Sequence, residues 1–476
     1  MNKKPPIIKS GLFGIGLDTY WPQFDGLQER LEGYQSQISD KMEGYGAQVI
    51  NLGLVDSPIM AREKAELLKK EDIDILFLYV ATYALSSTVL PFVQKIKCPI
   101  IILNIQPVAA IDYESFNKLG DRGKMTGEWL AHCQACSVPE IGNVFNRSGV
   151  NYELVTGYLG EQKVWDEIQQ WIQAAHVASV MQKNRLGLLG HYYCGMLDVY
   201  SDLTKQSAAF GTHIEILEMC EVKKYRDVLK NHEIDQKIAE FRESFDVIDS
   251  CEEPELVRAA KTSIALDKLV EKHNLGSIAY YYEGETGNEY ENIVTSMIAG
   301  NTLLTGKNIP VAGEYEVKNA QAMKILDSFG VGGSFSEFYV MDFKDDIMIL
   351  GHDGPAHFGI AEGKVQLVPL PIYHGKPGKG LSIQMTVKHG PVTILSVVEG
   401  RDNVFLLVAE GESVEGPVLQ IGNTNSRYKF SIGARSFMNE WSKAGPSHHC
   451  AIGVGHIADK IEKLGHILNI DVVKIC

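Results

Sequence analysis

The sequence predicts an α/β protein with two doubly wound parallel-sheet domains, followed by a β-rich, barrel-like C-terminal domain. Apolar strands and amphipathic helices alternate through the first hundred residues, and the alternation restarts near residue 185. After about residue 310, β-rich runs are separated by Gly, Pro, Asn and Asp. Continuous apolar strands are typical of parallel sheets, whereas short runs with regular turns favour antiparallel sheets or barrels. We therefore expect domains over residues 1–184, 185–308 and 309–476.

The first domain is predicted from four apolar strands with helical segments between them. The predicted strands are PIIKSGLFGIGL, AQVINLGL, IDILFLYV and PIIILN. The first of these lacks the continuous apolar run and cleavage site of a signal peptide, so we expect a strand there. GLFGIGLD resembles a dinucleotide-binding fingerprint only superficially, because Thr19 stands where the third glycine belongs. This mismatch argues against a nicotinamide cofactor.

The second and third domains are predicted from a change in pattern. A long helix over residues 160–184 leads into NRLGLLGHYYCGMLD, which has the order strand, turn and helix. THIEILEM and GSIAYYYEGETG are further predicted strands, and residues 288–304 are predicted to form one helix. DDIMILGHDG, VQLVPLPIY, GLSIQMTVKHG, PVTILSVVEG and DNVFLLVAEGESV then predict the β-rich domain, and HIADKIEKLGHILNI predicts a closing helix.

Composition excludes some classes of partner. The chain has 476 residues with 60 acidic and 45 basic side chains, a formal charge of −15. Nucleic-acid binding relies on clustered Lys and Arg, so we expect no such partner. No run of 18 apolar residues predicts a membrane span. The spacing of the eight cysteines suggests no disulfide framework, which favours a reducing cytoplasm. Cys133 and Cys136 form one C-x-x-C motif. A zinc site would need a second pair of cysteines, whereas a redox role for this motif stays open.

Ligand-type side chains follow several predicted strands. Glu283 follows SIAYYY, Glu314 follows IPVAG, and His352 follows IMILG. The adjacent His448 and His449 lie in KAGPSHHCAIGVGH, just before another apolar run. Chemistry in α/β units usually lies where parallel strands end. Two carboxylates and two imidazoles suit Mn²⁺, and also Fe²⁺, Co²⁺ or Zn²⁺.

Each of these residues also has a structural explanation. Glu283 and Glu314 can be carboxylates at helix N-termini, where the helix dipole stabilises negative charge. His352 can cap a hairpin, and the histidine pair can decorate a polar loop. Only their meeting in the fold distinguishes a metal site from these alternatives.

Four motifs carry a resemblance to a known family. GEYEVKNA, GGSFSEFYV, DDIMILGHDGP and AGPSHHCAIG, in this order, resemble segments of the L-arabinose isomerases, which are relatives of the L-fucose isomerases. The resemblance implies that an aldose and a ketose interconvert through an enediol, with Mn²⁺ as the usual metal. It implies Glu283, Glu314, His352 and His449 as metal ligands, Glu283 and Glu314 as the proton-transfer pair, and His448 as a residue lining the sugar site. It also implies a homotrimer or homohexamer with sites between subunits.

The N-terminal region departs from the family pattern. The family has Gly-Ser-Gln-His-Leu-Tyr-Gly where this chain has GIGLDTYWPQF, which places Asp18 and Tyr20 near the expected sugar. Cys136 aligns with a histidine that the family supplies to the neighbouring subunit's site. We therefore expect the metal core to be kept and Asp18, Tyr20 and Cys136 to set the choice of sugar.

Three alternatives accompany this interpretation. The same metal core can serve epimerisation or isomerisation of a modified sugar or a sugar acid, which a substrate panel distinguishes. A non-catalytic sugar-binding protein on an α/β scaffold needs no metal, so metal analysis separates it. A dehydrogenase would bind a nicotinamide cofactor.

If Cys136 replaces a recognition residue, Cys136→His should change the relative rates on different sugars, because it restores the family's side chain. The affinity for metal should not change, since Cys136 is not an expected ligand. Rates on a panel of aldoses and a metal titration measure both effects. An unchanged sugar profile would contradict the prediction.

Overall fold

The computed structural model describes residues 8–283, 285, 287–371 and 379–476. It forms two compact units, Met1–Ser179 and Val180–Cys476. The second unit contains both a parallel sheet and a β-barrel. The predicted boundary between a central and a C-terminal domain stays a prediction. Among the described residues, no helix is both long and apolar enough to cross a membrane.

The first unit is built on a five-stranded parallel sheet in the order β2-β1-β3-β4-β5. Its strands are β1 (Ile8–Ile15), β2 (Ala47–Val55), β3 (Ile75–Val80), β4 (Ile100–Gln106) and β5 (Glu153–Tyr158). Its helices are α1 (Leu27–Gly44), α2 (Pro58–Leu68), α3 (Ser86–Val93), α4 (Tyr113–Lys118), α5 (Arg122–Leu130), α6 (Gln134–Ser148) and α7 (Gln162–Lys183), with a 3₁₀ turn at Asp18–Tyr20. This strand order is a common doubly wound arrangement, as the alternating pattern predicts.

Continuous apolar strands explain why this sheet is parallel and covered on both faces. All six residues of β3 are buried. Phe13 of β1 stacks on Phe92 of α3, with ring centroids 3.9 Å apart. A strand buried on both faces cannot alternate polar and apolar residues, so its sequence reads as one apolar run.

The second unit begins with a four-stranded parallel sheet in the order β10-β9-β6-β7. Its elements through α14 are β6 (Arg185–Gly190), α8 (Leu203–Phe210), β7 (His213–Leu217), α9 (Met219–Asp227), α10 (Asn231–Ser244), β8 (Asp246–Val247), α11 (Glu253–His273), β9 (Ser277–Tyr281), α12 (Glu291–Val294), α13 (Ile298–Thr305), β10 (Val311–Ala312) and α14 (Val317–Ser328). The chain order reverses between β6 and β9, the switch point at which ligands bind in open α/β sheets.

The single helix predicted over residues 288–304 is wrong, because α12 and α13 are separate. Thr295 Oγ1 donates to the carbonyl of Glu291 at 2.6 Å, and Ser296 Oγ donates to that of Asn292 at 2.9 Å. Such side-chain bonds compete with the helical ladder and favour a break.

The rest of the second unit contains a closed six-stranded barrel, β15-β18-β11-β12-β17-β16, in which β16 pairs back to β15. The remaining elements are β11 (Ser334–Asp342), β12 (Ile347–His352), a 3₁₀ turn at Phe358–Ile360, β13 (Gln366–Pro369), β14 (Leu381–Gln384), β15 (Gly390–Glu399), β16 (Val404–Val414), β17 (Thr424–Phe430), α15 (Gly433–Ala444), β18 (His449–Val454), α16 (Ala458–Leu468) and β19 (Asp471–Lys474). All pairings within the ring are antiparallel, β19 adds to β16, and β14, β13 and β8 form a small separate sheet. The predicted barrel-like C-terminal region is therefore confirmed.

Helix α15 covers one side of the barrel with aromatic side chains. Phe437 stacks on Phe430 of β17, with centroids 3.6 Å apart and planes 2° from parallel. Trp441, one helical turn on, lies 5.6 Å from Phe437. The side chains of Phe437 and Trp441 are both buried.

We expect Phe437→Ala to destabilise the second unit by about 3–5 kcal/mol, because truncation of a fully buried Phe leaves a cavity. The thermal midpoint should fall by about 5 °C or more. Phe343→Ala is the matched control, since Phe343 is 55% exposed, and it should cost less than about 1 kcal/mol. Equal shifts in the two variants would show that the aromatic stack does not stabilise the barrel.

Candidate metal centre

Carboxylates and imidazoles from four strands converge at one end of the second unit. Glu314 follows β10 of the parallel sheet, whereas Glu337, His352 and His449 come from β11, β12 and β18 of the barrel. The ligand-type residues therefore belong to two different sheets. Only the packing of the parallel sheet beside the barrel brings them together.

A strained turn delivers Glu314 to the site. Glu314 and Tyr315 both adopt left-handed backbone conformations, with φ of 53° and 59°. Each costs about 1–3 kcal/mol for a non-glycine residue and persists only where surrounding contacts enforce it. The Tyr315 N–H donates to the carbonyl of Tyr280 at 3.0 Å, and the Glu316 N–H donates to that of Gly313 at 3.0 Å. These bonds hold the turn.

The barrel register places Glu337 and His449 side by side. Glu337 of β11 lies directly opposite His449 of β18 and, on its other side, opposite Gly351 of β12. His352 is the next residue along β12. Because paired residues project from the same face of a sheet, Glu337 and His449 are neighbours by construction.

Phe335 forms the floor beneath the two buried imidazoles. It lies two residues before Glu337 on β11, so the two side chains share a face. Its ring centroid is 4.4 Å from that of His352 and 4.4 Å from that of His449. Gly313 passes close by, and a Cβ there would lie 3.1 Å from the Phe335 ring. This packing limits the rotation of both histidines.

The ligand atoms form two overlapping groups: Glu314, His352 and His449, and Glu337, His448 and His449. The Glu314 carboxylate lies 3.3 Å from Nε2 of His449 and 3.9 Å from Nε2 of His352. The His448 Nε2 lies 3.8 Å from Glu337. Two ligands bound at about 2.1 Å to one ion are at most about 4.2 Å apart. These spacings are therefore compatible with a shared cation.

The electrostatics of the cluster favour an ionised carboxylate. Burial by itself raises the pKa of Glu314, but the neighbouring imidazoles of His448 and His449 outweigh burial and hold that pKa well below its usual range. Burial lowers the pKa of His449, and the Glu314 and Glu316 carboxylates outweigh this effect and raise it. A negative carboxylate between buried imidazoles is the charge arrangement that a cation completes.

His448 is held by Asp198 at the edge of the cluster. Its Nδ1 lies 2.6 Å from an Asp198 oxygen, and its backbone N–H donates to the same oxygen at 3.0 Å. Burial lowers the pKa of His448, but the nearby Glu314 carboxylate and the hydrogen-bonded Asp198 raise it to about 9. His448 keeps 36% of its side chain exposed, whereas His449 has none. Adjacent histidines thus have different positions, one at the rim and one inside.

The residues present fit a divalent cation. Glu314 Oε2 and His449 Nε2 are buried and have no hydrogen-bond partner among the described residues. Such atoms cost free energy unless something satisfies them. Two carboxylates with imidazole nitrogens form a mixed oxygen and nitrogen set, which suits Mn²⁺, Fe²⁺, Co²⁺ or Zn²⁺. The ligand set does not distinguish among these ions.

The structure brings together Glu314, His352, His448 and His449 from the predicted site, but not Glu283. The Glu283 side chain is exposed and accepts a hydrogen bond from Tyr281 Oη at 2.9 Å. Its backbone lies against His191, which follows β6 at the switch point. Glu283 belongs to neither ligand group.

Glu337 is the site residue that sequence reasoning missed. It lies within the motif GGSFSEFYV, which the resemblance already includes. The sequence signal for Glu337 is the alternation of side chains along a strand. Glu337 lies two residues after Phe335 and so shares its face, which places an acidic side chain towards a buried region. Glu337 lies inside β11 and not directly after a strand, so it does not share the sequence pattern of the predicted ligands.

The other predicted sugar-site residues belong to the first unit. Asp18 begins the 3₁₀ turn, and Tyr20 ends it, with its ring 6.5 Å from Trp21. Burial is the main cause of a raised pKa of Tyr20. Cys136 is exposed in the first turn of α6, with its Sγ 3.1 Å from that of Cys133. The exposed position of Cys136 differs from that of a buried structural cysteine, and its role in sugar choice stays a prediction.

Comparison with known proteins identifies relatives along most of the chain. Residues 332–471 match the family model of the L-arabinose isomerase C-terminal domain. The L-arabinose isomerase of Oceanobacillus iheyensis is 19% identical over 473 residues, 95% of each chain. That of Bacteroides thetaiotaomicron is 20% identical over 410 residues, 80% of this chain and 76% of its own. The sulfoquinovose isomerase of Alkalicoccus urumqiensis is 19% identical over 327 residues, 68% and 72% of the two chains. The resemblance predicted from the four motifs is therefore confirmed.

If Glu337 rather than Glu283 completes the ligand set, Glu337→Gln should remove most of the stabilisation by Mn²⁺, whereas Glu283→Gln should keep it. A cation at about 100 times its Kd stabilises the folded state by about 2.7 kcal/mol, which raises the thermal midpoint by roughly 5 °C. Thermal unfolding of chelator-treated protein with and without Mn²⁺ measures the shift. The opposite result would restore the ligand set predicted from sequence.

Proposed function

We propose that this relative of the L-arabinose isomerases uses a divalent cation, most simply Mn²⁺, to interconvert an aldose and a ketose through an enediol. The comparisons support an enzyme of the aldose–ketose isomerase class. The observation that carries the metal proposal is the pair of overlapping ligand groups, Glu314 with His352 and His449, and Glu337 with His448 and His449, which share His449. A pentose or hexose of the L-arabinose and L-ribulose type is the proposed substrate.

Glu314, Glu337, His352 and His449 would hold the cation. When bound, it polarises the substrate carbonyl and stabilises negative charge on the neighbouring oxygens. His352 and His449 are nearly buried, and Phe335 restricts their rotation. Little reorganisation is then needed on binding, which favours both affinity and rate.

The two glutamates are suited to move protons between neighbouring substrate atoms. One carboxylate accepts the proton from C2 of the aldose and returns it to C1, while the hydroxyl proton passes from O2 to O1. The C=O bond is thereby exchanged from C1 to C2, and no electron leaves the substrate. We propose Glu337 in place of Glu283 in this pair, because Glu337 groups with His448 and His449, whereas Glu283 belongs to neither ligand group.

His448 is placed to bind the sugar rather than the buried ion. It lies at the exposed rim, with Asp198 on its Nδ1 and Glu314 and Glu337 near its Nε2. The nearby carboxylates favour the protonated form of this imidazole by raising its pKa. A charged imidazole can donate to a substrate oxygen on which negative charge develops.

Assembly and location extend the proposal. The implied homotrimer or homohexamer would bring Asp18, Tyr20 and Cys136 of one subunit to the site of its neighbour. We propose a cytoplasmic enzyme that acts on a small sugar, without a nucleic-acid or membrane partner, in keeping with the net charge of −15.

A second candidate is isomerisation of a modified or acidic sugar on the same residues. A specific observation favours it, because one relative is named sulfoquinovose isomerase, and the segment around Asp18 departs from the arabinose pattern. The reaction class is the same in both candidates, and only the substrate differs.

The direct test is turnover of a panel of aldoses by purified protein, with Mn²⁺ and after chelation. The panel should include L-arabinose, L-fucose, D-glucose and a sulfonated or carboxylated hexose. Ketose formation that depends on metal supports the proposal, and the preferred sugar chooses between the two candidates. Absence of turnover on every sugar, together with sugar binding, would favour the non-catalytic alternative.

Glu314→Gln should keep the fold and lower kcat by about 10²–10⁴-fold, because an amide of the same size cannot accept a proton. The assay should be run at saturating Mn²⁺, so that weaker metal binding does not account for the loss. Glu440→Gln is the control, since Glu440 lies exposed on α15, and its kcat should be unchanged. Near-normal turnover of the Glu314 variant would remove Glu314 from the reaction.

A further inference from the structure

A buried carboxylate lies behind the candidate metal centre and takes no part in either ligand group. Glu316 is fully buried, two residues after Glu314, at the N-cap of α14. Its side chain makes no capping bond to the helix. Burial of a carboxylate costs free energy unless partners compensate for the lost hydration. The contacts of the Glu316 carboxylate therefore indicate its role.

The partners of Glu316 divide between its two oxygens. Oε1 lies 3.3 Å from Nζ of Lys318 and accepts from Ser447 Oγ at 3.4 Å. Oε2 lies 3.5 Å from Nδ1 of His449. Lys318 therefore balances the charge through one oxygen and leaves the other for the imidazole.

The two nitrogens of His449 thus face different carboxylates. Nδ1 faces Glu316, whereas Nε2 lies 3.3 Å from Glu314 within the ligand group. A carboxylate that accepts from Nδ1–H keeps the proton on that nitrogen, so the lone pair of neutral imidazole lies on Nε2. The buried and unpartnered Nε2 is the atom aimed at the cation position.

The same pair also supports the histidine at the rim. Lys318 Nζ donates to the carbonyl of Asp198 at 2.7 Å. Asp198 in turn holds Nδ1 of His448. One buried ion pair therefore contacts His449 directly and supports His448 through a single intermediate residue.

We infer that Glu316 is a positioning residue, which fixes the orientation and tautomer of His449 so that Nε2 is available to the cation; this inference rests on the proposed function. Glu316 itself does not touch the ion or the sugar. Its effect passes through His449, while Lys318 pairs with the other oxygen of the carboxylate.

Helix α14 contains a matched control. Asp327 is buried, with Lys324 Nζ at 3.5 Å and His357 Nε2 at 3.6 Å. This second set has the same carboxylate, lysine and histidine composition on the same helix. His357 belongs to neither ligand group, so Asp327→Asn reports the cost of disturbing a buried carboxylate without an effect on the site.

The experiment measures Mn²⁺ affinity of chelator-treated protein by calorimetric titration, together with the thermal midpoint without metal. Glu316→Gln should weaken Mn²⁺ binding about 10- to 100-fold, the usual effect of losing such a partner. Asp327→Asn should change the affinity less than about 2-fold, even where both variants lower the midpoint. Equal weakening in the two variants, or none in Glu316→Gln, overturns the inference.

Glu316→Asp keeps the charge beside Lys318 but withdraws the carboxylate from His449. Glu316→Asp replaces Glu316→Gln in the experiment if the latter variant does not fold. It should also weaken Mn²⁺ binding by about 10-fold. Wild-type affinity in this variant would show that charge alone matters and would overturn the positioning role. If the wild-type protein binds no Mn²⁺, the metal proposal fails first and the inference fails with it; wild-type binding with unaffected variants refutes the inference alone.

Discussion

The pairing of β11 with β18 is the constraint on which the candidate site depends. Glu337 lies opposite His449 and Phe335 opposite Ala451 in this register. Because side chains alternate along a strand, a shift of one residue would move Glu337 and Phe335 to the other face. The closed barrel prevents such a shift, since each strand of the ring is paired on both sides and a slip must break two ladders.

The parallel sheet contributes the remaining carboxylate through a different device. The short strand β10 ends beside β9, and the left-handed turn after it directs Glu314 towards the barrel. Strain of this kind is tolerated where surrounding contacts determine the conformation and is common at functional sites. The barrel face and the strained turn of the sheet together place Glu314 beside His352 and His449.

Charge balance explains how so many polar groups are buried at this place. Glu314 lies between imidazoles, and Glu316 has Lys318. Each buried carboxylate has nitrogen partners, which is the condition for burying ionisable groups. In the proposed metal centre, these partners would fix the geometry of His449 while leaving one nitrogen for the ion. The contacts that allow burial would then also serve the site.

Much of the fold was determined by local pattern. Continuous apolar runs such as Ile75–Val80 predicted parallel strands, and the turn-separated runs after residue 310 predicted the barrel, because burial on two faces and on one face leave different periodicities. Where side-chain bonds compete with the helix, as at Thr295 and Ser296, local pattern predicted one helix and the structure has two.

The sequence by itself determined the kind of site: glutamates and histidines at strand ends, in four motifs shared with the L-arabinose isomerases. Only the tertiary structure decided which of these side chains lie beside one another. The barrel register places Glu337 opposite His449, whereas Glu283 lies against Tyr281 and His191. Sequence records which side chains a strand carries; the distance between side chains from different strands depends on how two sheets pack, and no local pattern contains that information.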